Sequence, residues 1–339
     1  MSKGNTSAKG TVWAPGRVNL IGDHTDYTGG LVLPMAIDLG TTITWHATTG
    51  SSRFSSEIDD VVVDLDATPI PLHWGKYVHA VAHLLKNQYI DPKISATISS
   101  TLPIGSGLSS SASLEVAVAL SLGAKADTRE EIIALAQLCQ RAEHAATGVP
   151  CGIMDQLIVL AGQSEHALII DCATFEMTPV HIPSDLKVVV QFITHRTLAG
   201  SAYSDRVAQC TSAQQTIGPL NRARVEDLVA LDDPVVKKRA LHVISENSRV
   251  KDFCSALASR DFNLAGSIMA DSHYSLRNNF DVSTPEMDAA VLAASSTSGV
   301  YGARMTGGGF GGCIVIIAEK DAPVDGWIVQ ASDGAGLVE

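Results

Sequence analysis

The chain has 339 residues, 45% of them hydrophobic and 18% charged, and a formal net charge of −12. That length allows two domains, each with a sizeable core. The acidic balance argues against a nucleic-acid partner, because no basic field would draw in a phosphate backbone, yet it leaves room for a nucleotide in a local positive pocket.

The first ten residues are polar, lack an apolar run and read as a loose start rather than a signal. Residues 11–14 then read as a strand that leads into Pro15-Gly16-Arg17 and 18–21. A polar segment follows at 22–30, then apolar 31–37 and β-rich 41–45, with a further strand at 61–63. Residues 73–86 place Trp74, Tyr77, Val78, Val81, Leu84 and Leu85 at helical spacing, and 94–98 alternate as a strand does.

Residues 102–120 are the stretch that the rest is organised around. They open with Pro103, Gly105 and Gly107, pass through Ser109, Ser110 and Ser111, and continue as an almost uncharged helix. The serines stand where helix caps stand. A buried helix whose open N–H groups face a glycine loop is a ready anion site. The plain alternative is a capped helix after a turn.

Beyond it, Asp127-Thr128 opens an amphipathic helix at 129–147, which 148–152 break before a helical pattern resumes at 153–160. Residues 167–171 read as a buried strand, and the domain boundary is placed just after it, giving domains at 11–172 and 173–339. A strand at 187–194 precedes a mostly helical stretch at 200–280. A helix at 291–298 leads to 301–312 and a strand at 313–318. This is α+β rather than a doubly wound sheet. No G-x-x-x-x-G-K-[ST] string is present, so any ATP site is not a P-loop. Six scattered cysteines suit reduced thiols, and apolar runs such as 314–318 are too short to cross a membrane. A soluble, cytoplasmic protein is expected.

Three clusters could carry chemistry. Arg17, Asp23, His24, Asp26 and Tyr27 crowd polar groups between apolar strands and could orient a hydroxyl-rich ligand, or could simply be turn residues. Asp155, beside Ile153, Met154 and Leu157, could be a base or an orienting carboxylate, or a helix-start decoration. The run from Arg304 to Gly312 allows close approach to a ligand or another backbone, or forms a hinge. Glu143 could hold Mg²⁺ with a serine hydroxyl and phosphate oxygens, or sit solvated on its helix.

Together these stretches resemble the galactokinases of the GHMP sugar and metabolite kinase family. The likeness rests on Gly16-Arg17-Val18-Asn19-Leu20-Ile21-Gly22-Asp23-His24-Thr25-Asp26-Tyr27, on 102–115 and on 305–312. Ala142-Glu143-His144, 150–156, the Tyr203 segment and 331–334 extend it over nearly the whole chain. The resemblance implies a two-domain GHMP kinase fold. It pairs an N-terminal ribosomal protein S5 domain 2-like α/β domain with a C-terminal ferredoxin-like α/β domain, the active site lying between them. It also implies Mg-ATP-dependent phosphorylation of galactose at its anomeric hydroxyl, giving α-galactose 1-phosphate and ADP, by a monomer.

By the same likeness, Asp155 orients or deprotonates that hydroxyl and Arg17 stabilises charge. Asp23, His24, Asp26, Gly152 and Tyr203 contact the sugar. Gly105, Ser106, Gly107, Leu108, Ser109, Ser110 and Ser111 wrap the phosphates, Ser111 and Glu143 hold Mg²⁺, and Trp74 and Tyr77 flank the adenine. Their helical spacing alone reads as core.

Three departures stand out. Asp23 occupies a usual Glu position, which loosens selectivity near the sugar's C6 end; His195-Arg196 reverses the usual order; and 320–330 are too short for the usual helix, so a trimmed sheet edge is expected. Another sugar, such as N-acetylgalactosamine or a C6-altered galactose, is the competing substrate reading. A non-enzymatic galactose and ATP sensor is the other.

Overall fold

The computed structural model describes residues 8–68, 73–85, 93–103, 105–195 and 201–338. Lys86, Ile104 and Arg196, each part of a sequence-based expectation, lie outside the described residues. The chain opens with β1 (Lys9–Asn19), β2 (Leu31–Val32), β3 (Pro34–Ala47), β4 (Arg53–Ser56) and β5 (Val62–Asp64). Next come α1 (Gly75–Leu85), β6 (Ile94–Ser100), α2 (Ser110–Ser121), α3 (Arg129–Thr147) and α4 (Met154–Ala161). Strands β7 (His166–Asp171), β8 (Glu176–His181) and β9 (Leu186–Thr194) precede helices α5 (Ser201–Ile217), α6 (Pro234–Ala258), α7 (Phe262–Ser275) and α8 (Pro285–Ser295). The chain ends with β10 (Val300–Thr306), β11 (Gly312–Glu319), β12 (Trp327–Val329) and β13 (Gly336–Val338).

The strands form a six-stranded sheet, β13-β1-β3-β6-β4-β5, a four-stranded sheet, β10-β11-β9-β12, and a three-stranded sheet, β2-β7-β8. Helices α1 to α4 cover the first sheet, and their apolar faces meet Val12, Ile43, Phe54 and Ile98 in one core. Strands β9 and β11 are rich in Val and Ile because both faces of their central residues are covered. Val188, Val190, Val315 and Ile317 face a seam shared with Val18, Leu20, Met35, Phe253 and Met269. Val189, Ile314 and Ile316 point the other way, against Val243, Ile244, Met287 and Val291. Among the described residues, no helix is long and apolar enough to cross a membrane.

The structure refines several of these outlines. Pro15 and Gly16 carry a β-bulge inside one continuous strand, since the pairing with β3 slips between them and then resumes. Gly16 serves this packing directly: a Cβ there would lie 2.4 Å from the Leu102 side chain and 2.7 Å from the Leu108 carbonyl. The helix expected at 291–298 is α8, which starts six residues earlier, where the Thr284 side chain accepts from Met287 N and Pro285 occupies the first turn. Residues 300–306 form β10, so the glycine run is a turn between paired strands. Strands β4 and β8 carry too little apolar alternation to stand out. The stretch between β11 and β12 has no helix, and three-residue β12 forms the sheet edge. The last strand, β13, returns to pair with β1.

Candidate active site

The polar clusters converge on one cavity of about 860 Å³. Its walls come from the end of β1, the loop after it, the glycine-serine loop before α2, the start of α4, α1, and the turn between β10 and β11. Tyr27 of the first polar cluster does not line it, and of the residues to which the resemblance gives a role, Ser106 and Leu108 do not either. Both are buried; the Ser106 carbonyl accepts from Cys313 Sγ and the Leu108 carbonyl from Arg17 N, so they fix the loop's course.

At the centre, Arg17 and Asp155 form a two-pronged ion pair across 138 residues of sequence. Arg17 Nε donates to Asp155 Oδ1 at 2.7 Å and Nη2 to Oδ2 at 2.8 Å. Arg17 Nη1 donates to the Gly107 carbonyl at 2.7 Å, which joins the pair to the loop. Ser109 Oγ donates to Asp155 Oδ2. That contact corrects the reading of Ser109 as a cap. Its backbone is left-handed, φ 58° and ψ 43°, and its side chain makes no capping bond. The hydroxyl is committed to Asp155, so no side chain at this position covers the first N–H groups of α2.

One end of the cavity collects Asp23, His24, Asp26, Gly152 and Tyr203. Asp23 Oδ1 accepts from Gly307 N at 2.9 Å, and Oδ2 lies 2.5 Å from Arg304 Nη2, both side chains being almost fully buried. His24 Nδ1 lies 3.0 Å from the Tyr27 hydroxyl, and its ring packs near Tyr203 and Phe280. Asp26 is pushed up to about 7 by burial and by the nearby Asp155 carboxylate. It owes its place to Gly152, where a Cβ would come within 1.8 Å of Asp26 Oδ2.

Trp74, just before α1, and Tyr77 on it line the cavity and also pack against the first core. Trp74 Nε1 donates to Asp59 Oδ2 at 2.9 Å. Gly105, Gly107, Ser110, Ser111 and Glu143 line the cavity as well. Ser111 Oγ donates to Glu143 Oε1 at 2.8 Å, and Gln156 Nε2 donates to Glu143 Oε2 at 2.7 Å. Burial first, then Asp155, raises Glu143 above the usual carboxylate range. Among the described residues, no group of three or more His, Cys, Asp or Glu side chains is placed to hold a metal ion unaided.

Sequence reasoning gave no role to Arg304, Glu246, Gln156 or Glu115. Arg304 and Gln156 lie inside recognised strings, and Glu115 is the only charge in α2. A lone charge on an otherwise apolar helix was the available signal.

Three family models match the chain. The galactokinase galactose-binding signature covers residues 3–46, the GHMP kinases N terminal domain 76–163, and the GHMP kinases C terminal domain 253–326. The galactokinase of Bos taurus is 42% identical over 92% of this chain and 84% of its own length. The chain belongs to the galactokinase family. The galactokinase of Homo sapiens is 41% identical over 92% of this chain and 84% of its own. Among solved structures, Lactococcus lactis galactokinase complexed with galactose superposes with a TM-score of 0.88 at 31% identity, covering 98% of this chain and 95% of that one. The fold is therefore the two-domain GHMP kinase fold that its galactokinase relatives share, with mixed helix and strand content.

Proposed function

We infer that this chain is a galactokinase that transfers the γ-phosphoryl group of ATP to the anomeric hydroxyl of galactose, giving galactose 1-phosphate and ADP. The observation that carries this reading is the joint formed by Arg17, Asp155 and Ser109. It lies where the sugar-end cluster meets the glycine-serine loop, inside one cavity. In this reading residues 11–172 and 173–339 are the two domains.

Phosphoryl transfer needs in-line positioning and stabilisation of spreading charge more than covalent chemistry. Asp23, His24, Asp26 and Tyr203 bind and orient the sugar. The Gly105 to Ser111 loop and the start of α2 offer N–H groups to the phosphates. Arg17 holds the Asp155 carboxylate plane fixed and offers positive charge beside the reacting oxygens. Asp155 accepts the hydrogen bond of the anomeric hydroxyl. As that oxygen forms the new bond to phosphorus and ADP leaves, the proton passes to Asp155. Trp74 and Tyr77 supply apolar surface for the base.

A Mg²⁺ ion fits Ser111 and Glu143. Both offer hard oxygens into the cavity, and so small a protein donor set suits a cation whose other ligands are phosphate oxygens and water. Bound there, it would neutralise phosphate charge.

The test is Mg²⁺-dependent ADP release with galactose, run beside 2-deoxygalactose, N-acetylgalactosamine, glucose, arabinose and 6-deoxygalactose. Strong release with galactose and little with glucose is expected. Silence with galactose from folded protein, with turnover of another sugar, would move the substrate assignment. Tight galactose binding with no turnover on any sugar would instead mark a sensor.

A further inference from the structure

Beneath the Ser111–Glu143 pair lies a second buried carboxyl that the reading above does not use. Glu115 stands one helical turn after Ser111 on α2 and has no measurable exposure. It is wedged where α2, α3 and α4 meet, amid Ala112, Val116 and Leu157 in the first core. Gln156, the residue after Asp155 on α4, is equally buried and bridges the two carboxyls with one amide nitrogen. Gln156 Nε2 donates to Glu143 Oε2 at 2.7 Å and to Glu115 Oε2 at 3.4 Å.

We propose that Glu115 is a positioning residue for the cation site, acting through Gln156 to hold the Glu143 carboxylate in its ligating orientation. The proposal rests on the reading of Ser111 and Glu143 as cation ligands. The geometry gives each partner a distinct task. Ser111 Oγ holds Glu143 Oε1, and Gln156 Nε2 holds Oε2, so both carboxylate oxygens are tethered from opposite sides. An amide can sit either way round, and its neighbours decide which. With two carboxyl oxygens facing it, the amide must present N–H to both, because a carbonyl turned there would meet two acceptors. Glu115 thereby selects the Gln156 orientation that Glu143 needs.

A second observation supports this. Glu115 Oε1 and Gln156 Oε1 are both buried without a hydrogen-bond partner among the described residues. A proton on Glu115 would turn its carboxyl into a donor on the side chain that already touches Gln156, whose carbonyl is an acceptor in need of one. Burial and the nearby Glu143 push Glu115 well above the usual carboxylate range, in keeping with that neutral acid. Residues behind first ligands commonly change metal affinity by ten- to a hundredfold when removed.

The experiment measures Mn²⁺ binding to the full-length protein with ADP present, by electron paramagnetic resonance, together with the Mg²⁺ dependence of turnover. Glu115→Leu keeps the volume and removes the partner of Gln156. It should weaken Mn²⁺ binding about tenfold and raise the half-saturating Mg²⁺ by a similar factor. Turnover at saturating Mg²⁺ and galactose affinity should move little. Glu115→Gln retains an amide for Gln156 and should restore Mn²⁺ affinity to within about twofold. Gln156→Leu should reproduce the Glu115→Leu loss, and the two together should lose no more than either alone, which also covers the case of one variant folding poorly.

Native Mn²⁺ affinity in Glu115→Leu, or an equal loss in Glu115→Gln, overturns the proposal. Glu143→Gln separates it from the reading beneath. If Glu143→Gln also binds Mn²⁺ as the native protein does, the ligand assignment itself has failed. If only Glu143→Gln weakens binding, the relay alone has failed.

Discussion

Replacing Asp155 by Asn removes the charge at the centre of the site while keeping its shape. The native carboxylate accepts two hydrogen bonds from Arg17, at 2.7 and 2.8 Å, and a third from Ser109. An amide has one oxygen to offer, so one Arg17 prong would face an NH₂ group. Arg17 is 4% exposed and its other donor is already spent on the Gly107 carbonyl, so its charge would stay buried and half-partnered. Breaking a buried pair by removing one member costs about 3–5 kcal/mol. Asp155 is 26% exposed, so water can enter and the lower figure of about 3 kcal/mol applies. That corresponds to a melting midpoint lowered by several degrees. Turnover should fall much further, by roughly 10³- to 10⁴-fold, because the hydroxyl loses both its orienting acceptor and its proton acceptor. Nucleotide affinity should change by less than about threefold, as Ser110, Ser111 and Glu143 are untouched. Asp155→Ala should behave alike. ADP release at saturating substrates, calorimetric nucleotide binding and thermal melting would be read on the same preparation. A folded Asn variant that turns over within tenfold of the native rate would refute the role given to Asp155.

Gly152→Ala should raise the KM for galactose at least about tenfold and leave that for ATP within about twofold, since a Cβ 1.8 Å from Asp26 Oδ2 forces that carboxylate aside. Unchanged galactose kinetics would show that Asp26 does not face the sugar. Asp23→Glu should sharpen discrimination between galactose and 6-deoxygalactose by advancing the carboxylate; an unaltered ratio of kcat/KM values would count against a C6 contact. Asp26, held at about 7 by burial and Asp155, binds a proton in the folded chain that the unfolded chain releases near its ordinary carboxylate value. Its contribution to stability therefore falls as pH rises from about 4 to 7 and changes little above that. Sugar hydroxyls that donate to Asp26 favour its ionised form, so galactose binding at pH 7 should release on the order of half a proton. Calorimetry in two buffers of different ionisation enthalpy would detect it, and a buffer-independent heat would refute it.

Much of this was legible because the motifs are local strings whose backbone demands are local too. Asp127-Thr128 announces α3, and the structure caps that helix with Thr128 and adds Glu131 as its reciprocal partner. Residues 187–194 and 313–318 announce strands by their Val- and Ile-rich runs, and both form. What stayed hidden depends on partners far away in sequence. Ser109 looks like a cap until Asp155 takes its hydroxyl from 46 residues away. Asp23 looks free until Arg304 and Gly307 claim it from 281 and 284 positions on. Local signals fix which residues are unusual; which of them meet is decided by the packing of sheets and helices.

The two ends of the cavity differ in how much of the fold they need. Ser111, Glu143, Gln156 and Tyr77 stand on helices over the first sheet and Trp74 just before α1, so the end proposed for the nucleotide is assembled within that layer. The sugar end is not. Asn19 exchanges hydrogen bonds with Thr306, the Leu20 carbonyl accepts from Arg304 Nη1, and Gly22 N donates to Glu246. His242 Nε2 lies 3.1 Å from the Asp23 carbonyl, and the Asp23 side chain meets Arg304 and Gly307. Every one of those partners belongs to α6, β10 or the turn after it. Burial alone would push Glu246 up, yet Arg249, His242 and Arg304 together hold it down at about 2, so the network stays charged inside the seam. Charges buried this way contribute little net stability but penalise any misaligned arrangement heavily. The strand end carrying Asp23, His24 and Asp26 is thus set by the second half of the chain. Loosening the seam should therefore degrade sugar recognition before it touches the nucleotide site.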